Sequence, residues 1–396
     1  MRNIEKLFEE NDTNCNAHVV LNHNILEIEI NTEDNLFTGV QVAQIISIIN
    51  SAHKRYGRLK YSIYFYLGNV KFIDKLTYVF LECICYYLIV KYGHPVQIYM
   101  NVIKDIGTDG INSSPLLLLN GTKKDKIRMY PNKFKQDIYG YHFRRLVNGV
   151  GREKTNYLGD LYKDIDSFLK VFSIDDEWRD KVGLVITELV GNAGEHALTD
   201  CLIDIDVAPN YQKYMKNELV DDKYYYGINI AVINFSEKLL GDDVRNNILK
   251  SNYELHNDRY QRVVNAYGNH QKFFSDSYTE EDFCNITTFQ TKISGRPDKV
   301  GTGGTGMTYL IKSLEEKSEK HNCYVISGRR CINFYENMIK YDKEGWISFN
   351  SENDYLKNIP GNDVATDCLI YMPGTAYNFN FIMEGEPINE KNQFGV

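Results

Sequence analysis

Residues 186–197 read ITELVGNAGEHA. Glu188, Asn192 and His196 recur every four residues, and at about 100° per residue each step shifts the row by only ~40°, so the three lie along one side of a helix. Val182, Val185, Ile186, Leu189, Val190, Ala193 and Ala197 form the adjoining apolar stripe. Glu188 and Asn192 therefore run along the edge of the face to be buried, where a cleft is lined. His196 lies closer to the stripe itself. The same spacing also describes an amphipathic helix with solvated polar flanks, and a histidine beside the stripe also suits a satisfied, half-buried side chain.

A second stretch, GTGGTG at 301–306, runs directly into a helical pattern in which Met307, Leu310, Ile311 and Leu314 fall on one face. Glycines let backbone amides approach a phosphate closely, and a helix N-terminus adds free N–H groups and a positive dipole end. Thr302, Thr305 and Thr308 bring hydroxyl donors, and a plain surface loop is the alternative. The string also satisfies G-x-G-x-x-G, but a dinucleotide fold needs a buried strand before it. The preceding TKISGRPDKV is polar and contains Pro297. No G-x-x-x-x-G-K-[ST] occurs, which excludes a P-loop as the phosphate site.

The chain has 396 residues, enough for two or three domains. It is 43% hydrophobic and 25% charged, ordinary for a globular protein, and its net charge of −8 does not favour nucleic acid or an anionic membrane. No apolar run approaches the ~20 residues that span a bilayer, and the acidic start MRNIEKLFEENDTN is no signal peptide, so the expected address is the cytoplasm. The eight cysteines lack CxxC pairs and partner histidines at metal spacing, and are expected to be reduced and structural.

Organisation follows from patterning. Residues 18–102 alternate strand-like and helical segments, a small α/β unit within 1–105. Residues 106–155 are rich in turn formers and carry the basic run GTKKDKIR; they read as a connecting segment. From 156 to 396 helices come first and strands later, with a polar, aromatic insertion at 241–300, which predicts an α+β sandwich.

Taken together, E-x-x-x-N-A-x-x-H on a helix, a glycine-rich loop, a further helix and closing strands resemble the GHKL (Bergerat-fold) ATPases, the superfamily of the histidine kinases and the anti-sigma-factor kinases. The resemblance covers about residues 156–385. FQTKISGRPDKVGTGGTGM is similar to the family's F-x-T-K element and phosphate loop, and MPGTAYNFNFIM to its closing strand. It implies ATP and Mg²⁺. Asn192 would offer an amide oxygen to the metal, Glu188 would act as general base, and Lys292 would stabilise charge on the γ-phosphate. Gly301, Thr302, Gly303, Gly304, Thr305 and Gly306 would wrap the phosphates, His196 would border them, and the stretch 241–300 would be a lid.

One departure stands out. The adenine-reading D-x-G-x-G box is replaced by INIAVINFSEKLLG, with Asn234 in place of the Asp and no glycines behind it. A carboxamide still accepts a hydrogen bond, although Asn234 could simply end a strand. The N-terminal unit is similar to STAS domains through IYFYLGNVKFIDKLTYVFL, with Leu76 where that family has its phosphorylated serine. The expected function is ATP binding and hydrolysis that drives a conformational or assembly switch on a protein partner or a second copy. Alternatives are a Ser/Thr kinase of anti-sigma type, acting on a partner or on Thr77, and a nucleotide sensor without turnover.

Overall fold

The computed structural model describes residues 1–12, 18–57, 59–103, 106–121, 124–149, 156–195, 197–209, 224–250, 258–293, 308, 311–312 and 320–386. After the short helix α1 (Glu5–Glu9) come β1 (Leu21–Asn22), β2 (Ile25–Glu29), β3 (Leu36–Phe37), α2 (Gly39–Tyr56), β4 (Ser62–Phe72), α3 (Lys75–Val90) and β5 (Val96–Val102). Strands β2, β3 and β5 lie parallel to β4, and β1 closes the five-stranded sheet antiparallel to β2. A capping box joining Thr38 and Gln41 starts α2, and Gly57 at φ 57 ends it. Asp74 caps α3, accepting from the Thr77 amide at 2.9 Å and the Thr77 hydroxyl at 2.7 Å. Helix α3 is buried from Lys75 to Leu88, as expected of a helix covered on every side.

The second half builds around an antiparallel sheet of six strands. Its elements are α4 (Lys124–Lys135), β6 (Gln136–Tyr139), β7 (His142–Val147), α5 (Tyr157–Lys170), α6 (Asp176–Glu195), β8 (Cys201–Ala208), β9 (Tyr224–Asn234), α7 (Asp242–Lys250), α8 (Asp258–His270), α9 (Glu280–Thr287), β10 (Lys320–Phe334) and β11 (Ala365–Gly385). The strand order is β10-β11-β9-β8-β7-β6. Residues 106–155, read from sequence as a connecting segment, thus supply α4 and the hairpin that edges this sheet. The charged look of HFRRLV hid a strand, because His142 and Arg144 are wholly buried. In the described part of 241–300, Val244, Tyr260, Val263 and Phe283 belong to the same core as α5 and α6.

Side chains alternate across the sheet. Ile203, Ile205 and Val207 of β8, with Ile228, Ile230 and Val232 of β9, pack beneath α5 and α6. Leu202, Ala231, Ile233 and Phe235 face the other way and share a core with the N-terminal unit. On that second face Asp204 and Asp206 meet Lys75 of α3, and Arg144 bridges Asp204 to Glu82, all without exposure above 1%. Burial would push the Asp204 carboxyl up, but Arg144, Lys75 and His142 outweigh it and hold it well below the usual range. Gly110 comes so close that a Cβ would stand 1.9 Å from the Asp206 carboxyl carbon. The chain is therefore a mixed α+β protein whose two sheets sandwich α3 and its ion pairs. Among the described residues no helix is long and apolar enough to cross a membrane.

Candidate functional site

Helix α6 carries Val182, Val185, Ile186, Leu189, Val190 and Ala193 into the core. That anchoring leaves Glu188 half-buried and Asn192 exposed along its edge. Asn234 ends β9, opposite both Cys201 of β8 and Thr375 of β11. Glu188, Asn192 and Asn234 line one cavity of about 150 Å³, together with Ala193, Ala197, Thr375 and Tyr377.

Local contacts hold the segments that carry Asn234 and Thr375. Gly374 adopts φ 93, and a Cβ there would stand 2.5 Å from the Asn234 carbonyl oxygen, so β11 requires glycine just before Thr375. Ser236 donates its amide to the Pro373 carbonyl at 3.2 Å, and the Thr199 hydroxyl donates to the Phe235 carbonyl at 2.8 Å. Across the opening, Lys238 pairs with Asp243 at 2.5 Å, and Thr288, Phe289 and Ile293 supply another wall. Burial, with Cys201 and the Glu188 carboxylate adding to it, pushes the Tyr377 hydroxyl above its ordinary value.

Lys292 is exposed, adopts φ 61 and sits between the wall residues Phe289 and Ile293 without lining the cavity itself. His196 and the whole of Gly301, Thr302, Gly303, Gly304, Thr305 and Gly306 lie outside the described residues. Thr308, just beyond that loop, is buried with its Oγ 3.2 Å from the Thr291 Oγ. Leu76 and Thr77 are buried under the sheet, and the Thr77 hydroxyl is committed to Asp74.

No family model, curated protein or solved structure matches the chain.

The residues themselves can be tested against Mg²⁺ and a nucleotide. Among the described residues no group of three or more His, Cys, Asp or Glu side chains could cage a metal. The hard oxygen donors on this cavity include the Asn192 amide and the Glu188 carboxylate, with the Asp243 carboxylate paired to Lys238. That set fits Mg²⁺ shared with a phosphorylated ligand, since this ion takes one or two protein ligands and the rest from phosphate and water. The apolar lining with the Asn234 amide and the Thr375 hydroxyl suits a planar heterocycle. Lys238, Asp243, Thr288, Thr375 and Tyr377 were not assigned from sequence. Thr375 stood inside the quoted Pro-Gly-Thr turn, whereas Lys238 and Asp243 carried no signal beyond nearness to Asn234.

A larger cavity of about 500 Å³ shares Leu239 with the first. Both of its arginines are paired, Arg245 with Glu280 at 2.7 Å and Arg330 with Asp367 and with the buried Asp282. Glu281 also lines it, and burial pushes that carboxyl up to about 7.

Proposed function

We propose that the chain is a GHKL-type, Bergerat-fold protein that binds and hydrolyses ATP with Mg²⁺ to drive a conformational or assembly switch. The observation that carries the reading is the meeting of Glu188 and Asn192, from one helix, with Asn234 at the end of β9 and Thr375 in the middle of β11, around one cavity. On this reading, the six-stranded sheet with α5 and α6 is the Bergerat sandwich, and residues 1–105 are a STAS-like unit docked on its back. The protein works in the cytoplasm on a protein partner or a second copy.

Each residue has a part that its chemistry supports. Asn234 and Thr375 hold the base edge through amide and hydroxyl. Asn192 offers its amide oxygen to the metal, and Glu188 orients the attacking water and takes its proton. Lys292 lends positive charge to the γ-phosphate oxygens. Asn192 would hold the Mg²⁺ of a bound nucleotide, and the ion would supply neutralisation of phosphate charge. Phosphoryl transfer within the chain is disfavoured by the buried, hydrogen-bonded Thr77.

Nucleotide binding and phosphate release by Glu188→Ala and Asn192→Ala test the assignment. Glu188→Ala keeps binding and loses turnover by ~10²–10⁴, the usual worth of a general base. Asn192→Ala weakens Mg²⁺-dependent binding itself. Wild-type hydrolysis rates in both variants would refute the site.

A further inference from the structure

Lys292 stands in the left-handed region at φ 61. A non-glycine residue there costs free energy and persists only where its surroundings hold it. Residues 341–347 supply that hold. The Tyr341 hydroxyl donates to the Phe289 carbonyl at 2.8 Å. Gln290 donates its Nε2 to the Ile347 carbonyl and accepts the Ile347 amide at its Oε1, both at 2.8 Å. The Thr291 amide donates to the Gly345 carbonyl at 3.2 Å. Every residue of 289–291 is thus tied to one short turn.

That turn is itself gripped by α8. The Arg259 guanidinium lies 3.9 Å from the centre of the Trp346 ring and donates to the Glu344 carbonyl at 2.8 Å and the Gly345 carbonyl at 2.7 Å. The Gly345 carbonyl therefore accepts from Arg259 and from Thr291 together. Gly345 has φ 78, and a Cβ on it would stand 3.0 Å from the Thr291 side chain, so the turn and the segment before Lys292 touch directly. Arg262, one helical turn on, pairs with the Glu344 carboxylate at 2.5 Å.

We propose that Arg259 is a positioning residue for Lys292: through Trp346 and the Gly345 carbonyl it fixes the left-handed turn from which Lys292 meets the terminal phosphate of a bound nucleotide. The inference rests on the ATP reading above. Arg259 itself touches no ligand. The planar fork is essential to it, because one guanidinium can stack on Trp346 while serving two carbonyls, and an ammonium cannot.

Calorimetric titration of the full chain with ATP and with ADP, both with Mg²⁺, tests it through the ratio of the two affinities. Lys292→Ala lowers the ATP-over-ADP preference on the order of tenfold, the worth of one charge-assisted contact to phosphate. Arg259→Met lowers it by a smaller factor and leaves ADP affinity unchanged, and Arg259→Lys falls between. The double variant Arg259→Met with Lys292→Ala matches Lys292→Ala alone, because Arg259 acts only through Lys292. Should Arg259→Met not fold, Arg259→Lys carries the same comparison. An Arg259 variant with an unchanged ratio, or one whose loss adds to that of Lys292→Ala, overturns the inference, and so does a Lys292→Ala variant with the wild-type ratio. Wild-type protein that binds neither nucleotide instead refutes the ATP reading and takes the inference with it.

Discussion

Lys75→Met probes the joint between the two halves. Lys75 is 1% exposed, and its ammonium touches Asp204, Asp206 and the Tyr78 hydroxyl, the last at 2.8 Å. Methionine keeps the apolar stem and removes the charge. Asp204 would retain Arg144 and His142, but Asp206 would keep only neutral donors, the Tyr78 hydroxyl at 2.9 Å and the Asn229 amide at 2.8 Å. Stranding a buried charge in this way costs about 3–5 kcal/mol. Against a total stability of ~5–15 kcal/mol that is a large fraction. Protonating the stranded carboxylate removes the penalty, so the loss narrows as the pH falls from about 7 to about 5. In the wild type the Asp204 carboxylate stays ionised over that range, since it is held well below 3.8. Urea unfolding at the two pH values measures both effects. A loss below ~1 kcal/mol, or one of the same size at both pH values, would refute the reasoning.

Asn234→Asp sharpens discrimination between ATP and GTP, because a carboxylate only accepts whereas a carboxamide can turn its NH₂ toward guanine O6. Titration of both proteins with both nucleotides checks it, and an unchanged affinity ratio means that Asn234 does not read the base. Glu281→Gln stabilises the protein above neutral pH. Burial lifts the Glu281 carboxyl from 4.5 to about 7, so the folded state keeps a proton that the unfolded chain has already released, and stability falls as the pH rises through that window. The lift caps the effect at ~3 kcal/mol, and because the side chain reaches solvent, screening reduces it to about 1 kcal/mol. Thermal unfolding of both proteins at about pH 5 and pH 8 shows the gain at the higher pH alone if this is right.

The residues around the cavity were legible where chemistry and periodicity coincide. Glu188 and Asn192 could be placed because one helix fixes their mutual position, and Asn234 because the apolar run INIAV ends at it. Lys238 and Asp243 could not, since Lys238 lies outside any periodic element and Asp243 reads as an ordinary acid in the first turn of α7. The docking face was misleading in a different way. CLIDIDVA alternates apolar and acidic residues, the pattern of a strand with one wet side, yet Asp204 and Asp206 are fully buried. Their partners Lys75 and Arg144 lie far away in sequence, and only the fold pairs them. The tyrosines and phenylalanines of 241–300 looked like a cover. In the fold, Tyr267 meets Phe274 and Phe283 edge to face, Phe274 meets Tyr278 the same way, and Phe283 stacks on Tyr355.

The sheet shared by the two halves also restricts how this chain can change. Lys75, Glu82, Arg144, Asp204 and Asp206 form one buried network of ion pairs, and Gly110 has no space for a methyl group beside Asp206. Replacing either cation alone leaves a buried carboxylate uncompensated, whereas a concerted exchange of the set for apolar residues of similar volume does not. These widely separated positions can therefore drift only together. Neither half can be transplanted onto a different partner without carrying its side of that network along.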